Sequence, residues 1–147
     1  MNEKTKIEVV STKLVKESEF NLKIERSSDV FKFVNNLIGD KDREHLIILC
    51  LSTKNTVNNV STISIGSLNS SIVHPREVFK IAILSNSASI ILAHNHPSGD
   101  TEPSEEDLNV TRRIAECGRI LGIEVMDHVI VGFNNPFYYS FNDEKLI

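Results

Sequence analysis

The chain has little that would staple or anchor it. Two cysteines among 147 residues make no disulfide framework. Cys50 and Cys117 each sit in apolar patterns that suit buried free thiols in a reducing compartment. No apolar run approaches the roughly 20 residues that span a bilayer. The opening stretch MNEKTKIEVV lacks the basic-then-apolar order of a secretory signal. These absences make a cytoplasmic protein, off the membrane, the expectation. A basic excess is missing too. Sixteen Lys and Arg against 20 Asp and Glu leave a formal charge of −4, the wrong overall sign for gripping duplex phosphates. Without repeats, low-complexity tracts or Pro/Gly-rich linkers, residues 1–147 read as one domain, long enough to bury a core.

What is present alternates between strand-like and helical patterns. Ile7 to Val15 mixes β-branched and polar residues and is expected to be an edge strand, within an N-terminal strand extension over residues 1–26. Val30, Phe31, Val34, Leu37 and Ile38 repeat at helical spacing from about Ser28, with Gly39 as the stop. HLIILCL, His45 to Leu51, reads as a strand buried on both faces, with Val57 to Ile65 as its hairpin partner across Thr53-Lys54-Asn55. Pro75 opens a second helix with the stripe Val78, Phe79, Ala82 and Ile83. Ala88 to Ala93 is a short buried strand. A long helix from about Ser104 to Leu121 follows, carrying Leu108, Thr111, Ala115 and the row Val110, Ile114, Cys117, Leu121, with Gly122 to end it. Val125 to Val131 and Phe137 to Phe141 complete the strands. Strands mixed with about three helices predict an α/β (α+β) sandwich on a mixed sheet.

The chemistry concentrates at His94-Asn95-His96. Residues two apart on a strand share a face, about 6–7 Å apart along the backbone, so both imidazoles project into one place. That is a workable bite for one metal ion, which then needs a third ligand and an open position for water. Asp107 lies eleven residues after His96, in the first turn of the next helix, and the turn-rich HNHPSGDTEPS loop can fold that helix end back beside the strand end. Ser104 lies one turn before Asp107. Ser-x-x-Asp is also a helix-capping pattern, and the two roles are compatible.

These residues carry a resemblance. His94-x-His96, seven residues, Ser104, two residues, Asp107 resembles the JAMM (MPN-plus) metalloprotease motif position by position. The flanking words LNSSIVHPREVFKIAI, IILAHNHPSGDTEPSEEDLNVTRRI and GIEVMDHVIVG are similar to the RadC-type branch, over residues 43–132. The resemblance implies a JAMM/MPN-like mixed sheet flanked by about three helices. It also implies one Zn²⁺ held by His94, His96 and Asp107, and hydrolysis of amide or isopeptide bonds in a protein or peptide substrate. An upstream Glu serves that family as general base, and Glu44 occupies the matching place; Glu25 is the fallback, followed by Glu17 and Glu19. Ser104 would donate a hydrogen bond to the developing oxyanion. The helix-hairpin-helix region common in RadC-type proteins has no counterpart, implying a short form. The DNA-repair label of that branch keeps a nucleic-acid-associated or mobile-element accessory role as the alternative, with direct nucleic-acid binding left open. Oligomeric state is unreadable.

Four further residues are candidates for lining the site. His74, before Pro75, is restricted to extended backbone and suits a helix entry. Ser70 belongs to a polar loop, Ser67 to Ser71, suited to a surface turn or a substrate backbone. Asp100 suits an Asx turn better than a fourth ligand. Asp127-His128 interrupts an apolar strand and needs partners, inside the fold or at the cleft. His45 is expected at a solvated strand end, and Arg112-Arg113 on the solvated face of their helix.

Overall fold

A computed structural model describes residues 7–15 and 22–147. Its elements, in chain order, are α1 (Ser27–Ile38), β1 (His45–Leu51), β2 (Val57–Ile65), α2 (Pro75–Leu84), β3 (Ser89–His96), α3 (Glu105–Leu121), β4 (Glu124–Gly132) and β5 (Tyr138–Ser140). The five strands form one sheet in the order β2-β1-β3-β4-β5. β3 and β4 run parallel, joined through α3; the other three pairings are antiparallel. The expected mixed α/β architecture is therefore present.

Alternation along the central strands sorts the core into two layers. Leu46, Ile48, Cys50, Ile90 and Leu92 pack with Val78, Phe79, Val110 and Ile114 of α2 and α3. Ile47, Leu49, Leu51, Ile91, Ala93, Val129 and Val131 pack on the opposite face with Val30, Val34 and Ile38 of α1. Helices on both faces explain why β1 and β3 read as continuous apolar runs.

Several expectations need correction. Ile7 to Val15 forms no strand: the segment is exposed and unpaired with the sheet, and β-branched composition alone makes no ladder. Gly39 does end α1, but in right-handed geometry, where a side chain would collide with the carbonyl and side chain of Asn35. Gly122 ends α3 in the left-handed conformation that glycine favours. Ile83 and Leu121 leave their stripes and are exposed. β3 runs past Ala93 through both histidines, because β1 pairs with it as far as His94 and β4 as far as His96. The HNH segment is thus strand, and the loop begins only at Pro97.

That extension positions the site. β3 faces alternate, so His94 and His96 continue the row of Ile90 and Leu92 toward α3, while Asn95 turns toward the α1 side. The β3–α3 loop then sets the start of α3 beside the end of β3, at the carboxyl ends of two parallel strands, a common place for sites in α/β sheets.

Candidate metal centre

Ser104 is the N-cap of α3. Its hydroxyl oxygen accepts from the Asp107 amide at 3.1 Å, and its own amide donates to Asp107 Oδ2 at 2.8 Å. This reciprocal capping box locks the Asp107 side chain at the helix start, where the partial positive charge of the N-terminus favours a carboxylate. The same carboxylate reaches both imidazoles: Oδ1 is 3.3 Å from His94 Nε2, and Oδ2 is 3.1 Å from His96 Nε2. The two Nε2 atoms lie 2.9 Å apart. Glu44, at the residue before β1, approaches from the open side, with Oε1 at 3.7 Å from His96 Nε2. Glu44, His94 and His96 each offer a ligand atom within 4.8 Å of the others. Asp107 is nearer to the rings than Glu44 is. His94 is fully enclosed; the side chains of His96 and Glu44 keep 11% and 25% exposure, which leaves one wet approach.

The donor set fits a cation. His96 Nδ1 faces the Asp100 carbonyl at 2.7 Å, so that nitrogen carries the proton. In the neutral ring Nε2 then presents a lone pair to the Asp107 carboxylate, an acceptor facing an acceptor. Only a positive charge between them relieves this. A proton does so in part. Burial alone would depress the His96 pKa, but the hydrogen bonds to Asp107 and Asp100, with the charges of Asp107 and Glu44, outweigh it and raise it. A tetrahedral ion with bonds of about 2.0–2.1 Å has donor–donor edges of about 3.3 Å. The separations of 2.9, 3.1 and 3.3 Å approach that figure. Burial also works against the Asp107 carboxylate, yet the closeness of the His94 and His96 imidazoles and the hydrogen bond from the Ser104 amide hold its pKa far below the ordinary value.

Some features of this neighbourhood were not singled out in the sequence. Asn95, buried between the two histidines, accepts from the His45 amide at 2.6 Å and donates to the Arg43 carbonyl at 2.9 Å and the Lys41 carbonyl at 3.4 Å. It clamps the backbone on both sides of Glu44. Leu68 N–H, from the Ser67–Ser71 loop, reaches Glu44 Oε2 at 3.3 Å. Thr111, one turn after Asp107, donates to the Asp107 carbonyl at 2.6 Å and contacts His128 Nδ1 at 2.6 Å. For Asn95 and Thr111, a polar residue close to the ligands in sequence was the only available signal.

The other candidates separate. His128 borders the centre, its Nε2 at 2.7 Å from His94 Nδ1. Burial first, then the charge of neighbouring His94, pushes its pKa well down. Asp127 turns to the Ser140 hydroxyl at 2.7 Å and the Asn142 amide at 3.0 Å, a structural role. Asp100 contributes its carbonyl to His96, while its carboxylate accepts the Glu102 amide at 3.0 Å in an Asx turn. His74 caps α2 through extended backbone (φ −96°, ψ 132°), with no hydrogen bond to the imidazoles among the described residues. Ser70 is exposed and receives Arg113 on its carbonyl at 2.7 Å, so Arg113 ties that loop to α3 rather than simply facing solvent. His45 is half-buried, its Nδ1 at 2.9 Å from the Arg43 carbonyl. Glu25 lies away from the cluster, exposed, with its amide on Asp29; Glu17 and Glu19 fall outside the described residues.

No helix among the described residues is long and apolar enough to cross a membrane. Relatives share this sequence at length. The chain is 48% identical over 127 residues to a UPF0758 protein of Clostridium acetobutylicum, covering 86% of this chain and 55% of that protein. It is 52% identical over 124 residues to a UPF0758 protein of Rubrobacter xylanophilus, covering 84% and 53%. Against one from Desulforamulus reducens the identity is 57% over 106 residues, covering 72% and 47%. The chain thus spans about half the length of the curated relatives it matches. The family model described as RadC-like JAB domain matches residues 24–146, nearly the whole chain, and the protein belongs to that family.

Proposed function

We propose that the chain is a zinc-dependent metallohydrolase that cleaves amide or isopeptide bonds in a protein or peptide substrate. One observation carries the reading: His94, His96 and Asp107 turn their ligand atoms on one another within 3.3 Å, with a carboxylate from a separate element beside them on the solvent side. The RadC-like JAB family supports the hydrolytic class.

The roles follow from the placements. The two imidazoles and Asp107 would hold the ion. When bound, zinc lowers the pKa of a water toward about 7 and polarises a carbonyl. Glu44 lies far enough from the direct ligands to work on the attacking water as general base. It then returns the proton to the leaving nitrogen. Its carboxylate is oriented by Leu68 N–H, and its backbone by Asn95. Ser104 uses its oxygen to accept the Asp107 amide, which leaves its O–H to donate to the oxyanion that grows on the scissile carbonyl.

The test is elemental analysis of the purified protein beside a His94→Ala, His96→Ala double variant, with peptide-library turnover on a Glu44→Gln variant. Zinc in the parent only, and a Glu44→Gln protein that keeps metal but turns nothing over, are expected. Equal metal content in parent and double variant, or undiminished turnover in Glu44→Gln, would overturn the assignment.

A further inference from the structure

Metal-binding histidines mostly set their outer nitrogen on a carbonyl or carboxylate, and among the described residues His94 has neither there. Its Nδ1 meets another imidazole, His128 Nε2, at 2.7 Å. His128 Nδ1 in turn meets Thr111 Oγ1 at 2.6 Å, and that hydroxyl lies 2.6 Å from the Asp107 carbonyl. The four residues form a closed circuit: it leaves the centre through His94 and re-enters through the backbone of Asp107. We propose that His128 and Thr111 are positioning residues whose hydrogen bonds force the proton of His94 onto Nδ1 and so dedicate its Nε2 to the metal. The proposal rests on the zinc-site reading above and deepens it.

The order of protons follows from counting donors. A carbonyl oxygen only accepts, so the single hydroxyl proton of Thr111 belongs to the Asp107 carbonyl. Thr111 Oγ1 can then only accept from His128, which puts the proton of that ring on Nδ1. His128 Nε2 is left as an acceptor, and the partner facing it must donate. His94 therefore carries its proton on Nδ1 and turns a lone pair from Nε2 toward His96 and Asp107. The reverse filling would send the Thr111 proton to His128 and leave two oxygens in contact at 2.6 Å with no hydrogen between them.

The surroundings hold the circuit still. His128, Thr111 and His94 are all buried, at 0%, 1% and 0% exposure, so water does not compete for these bonds. The His128 ring stacks on Phe141 at 4.8 Å with 15° between the planes, which sets its orientation. His94 pairs across the sheet with Ile130, so His128 stands two residues away on the neighbouring strand, facing the same side. Thr111 follows Asp107 by one helical turn. The circuit thus couples β3, β4 and α3, and the tautomer of one ligand depends on the helix that supplies another.

Two measurements test this. Long-range ¹⁵N–¹H correlation at neutral pH on ¹⁵N-histidine-labelled protein, metal-free and zinc-loaded, is expected to show His128 as the Nδ1–H tautomer in both. An Nε2–H tautomer for His128 would overturn the proposal. Zinc affinity, read by competition with a chromophoric chelator, is expected to fall about 10- to 100-fold in Thr111→Val and to recover in Thr111→Ser. Undiminished affinity in Thr111→Val, or no recovery in Thr111→Ser, would equally overturn it. If Thr111→Val fails to fold, the ¹⁵N measurement on the unaltered protein still decides. A parent protein that takes up no zinc would defeat the proposed function, while the metal-free spectrum would still report on the circuit.

Discussion

Replacing Asn95 with alanine would cut the link between β3 and the backbone around Glu44, the proposed general base. Asn95 is fully buried, and its side chain makes two short hydrogen bonds and one long one: 2.6 Å from the His45 amide, 2.9 Å to the Arg43 carbonyl and 3.4 Å to the Lys41 carbonyl. Each short bond contributes about 1 kcal/mol net, and loss of the side chain also leaves part-buried backbone groups without partners. The sum is about 2–3 kcal/mol. For a domain of this size that lowers Tm by roughly 5–10 °C. Calorimetry reads the Tm, and amide hydrogen exchange reads the cause: the His45 amide should exchange faster while β3 amides stay protected. Zinc binding should persist, since Asn95 faces away from the ligands, but turnover should fall because Glu44 lies between the two residues released. A Tm within about 2 °C of the parent, or a His45 amide still protected, would refute the clamp.

Zinc affinity should fall as pH drops through the raised pKa of His96, because a proton on Nε2 must leave before the metal enters. The slope should be about tenfold per pH unit on the acid side. Asp107 adds nothing to that slope near neutrality, since its carboxyl stays ionised far below the ordinary value of 3.8; flat affinity between about pH 5 and 8 would refute the argument. Gly132→Ala should destabilise the fold by about 1–3 kcal/mol in urea titration and weaken zinc binding as well. The added methyl would touch the Gly99 carbonyl oxygen and lie 2.8 Å from its carbon, pushing on the loop whose Asp100 carbonyl holds His96. Unchanged stability and zinc affinity would show that this loop yields freely.

Elements with strong local signals were legible. His45–Leu51 and Val57–Ile65 match their expected bounds residue for residue, since a turn at Asn55, with φ of 59°, separates two segments of strand length. The start of α3 was legible because a capping box is a local device, complete within four residues. Ile7 to Val15 misled because strand propensity is satisfied only by a partner, and partners are not written in a strand's own residues. The end of β3 was misplaced for the same reason. Polar residues at 94–96 blur into the loop that follows, and only the neighbours that pair on both sides fix the end of the strand at His96.

The site divides along the same line. His94 and His96 share a face by strand period, and Asp107 sits in a helix's first turn by capping; both facts are local, so the two features that bring these three side chains together are legible in the residue spacing. Asn95, Thr111 and the role of His128 depend instead on strand order. His128 can reach His94 only because β4 lies parallel beside β3, and Thr111 can reach His128 only because α3 packs over that pair. From the sequence, His128 was a buried polar residue in need of a partner; the identity of the partner is a fact of topology. Asn95 was hidden by its neighbours, since a residue between two that share a strand face must point away from them. That turn away is what lets it grip the Glu44 backbone from the opposite layer of the sheet, so one tripeptide presents two imidazoles on one face and anchors Glu44 from the other.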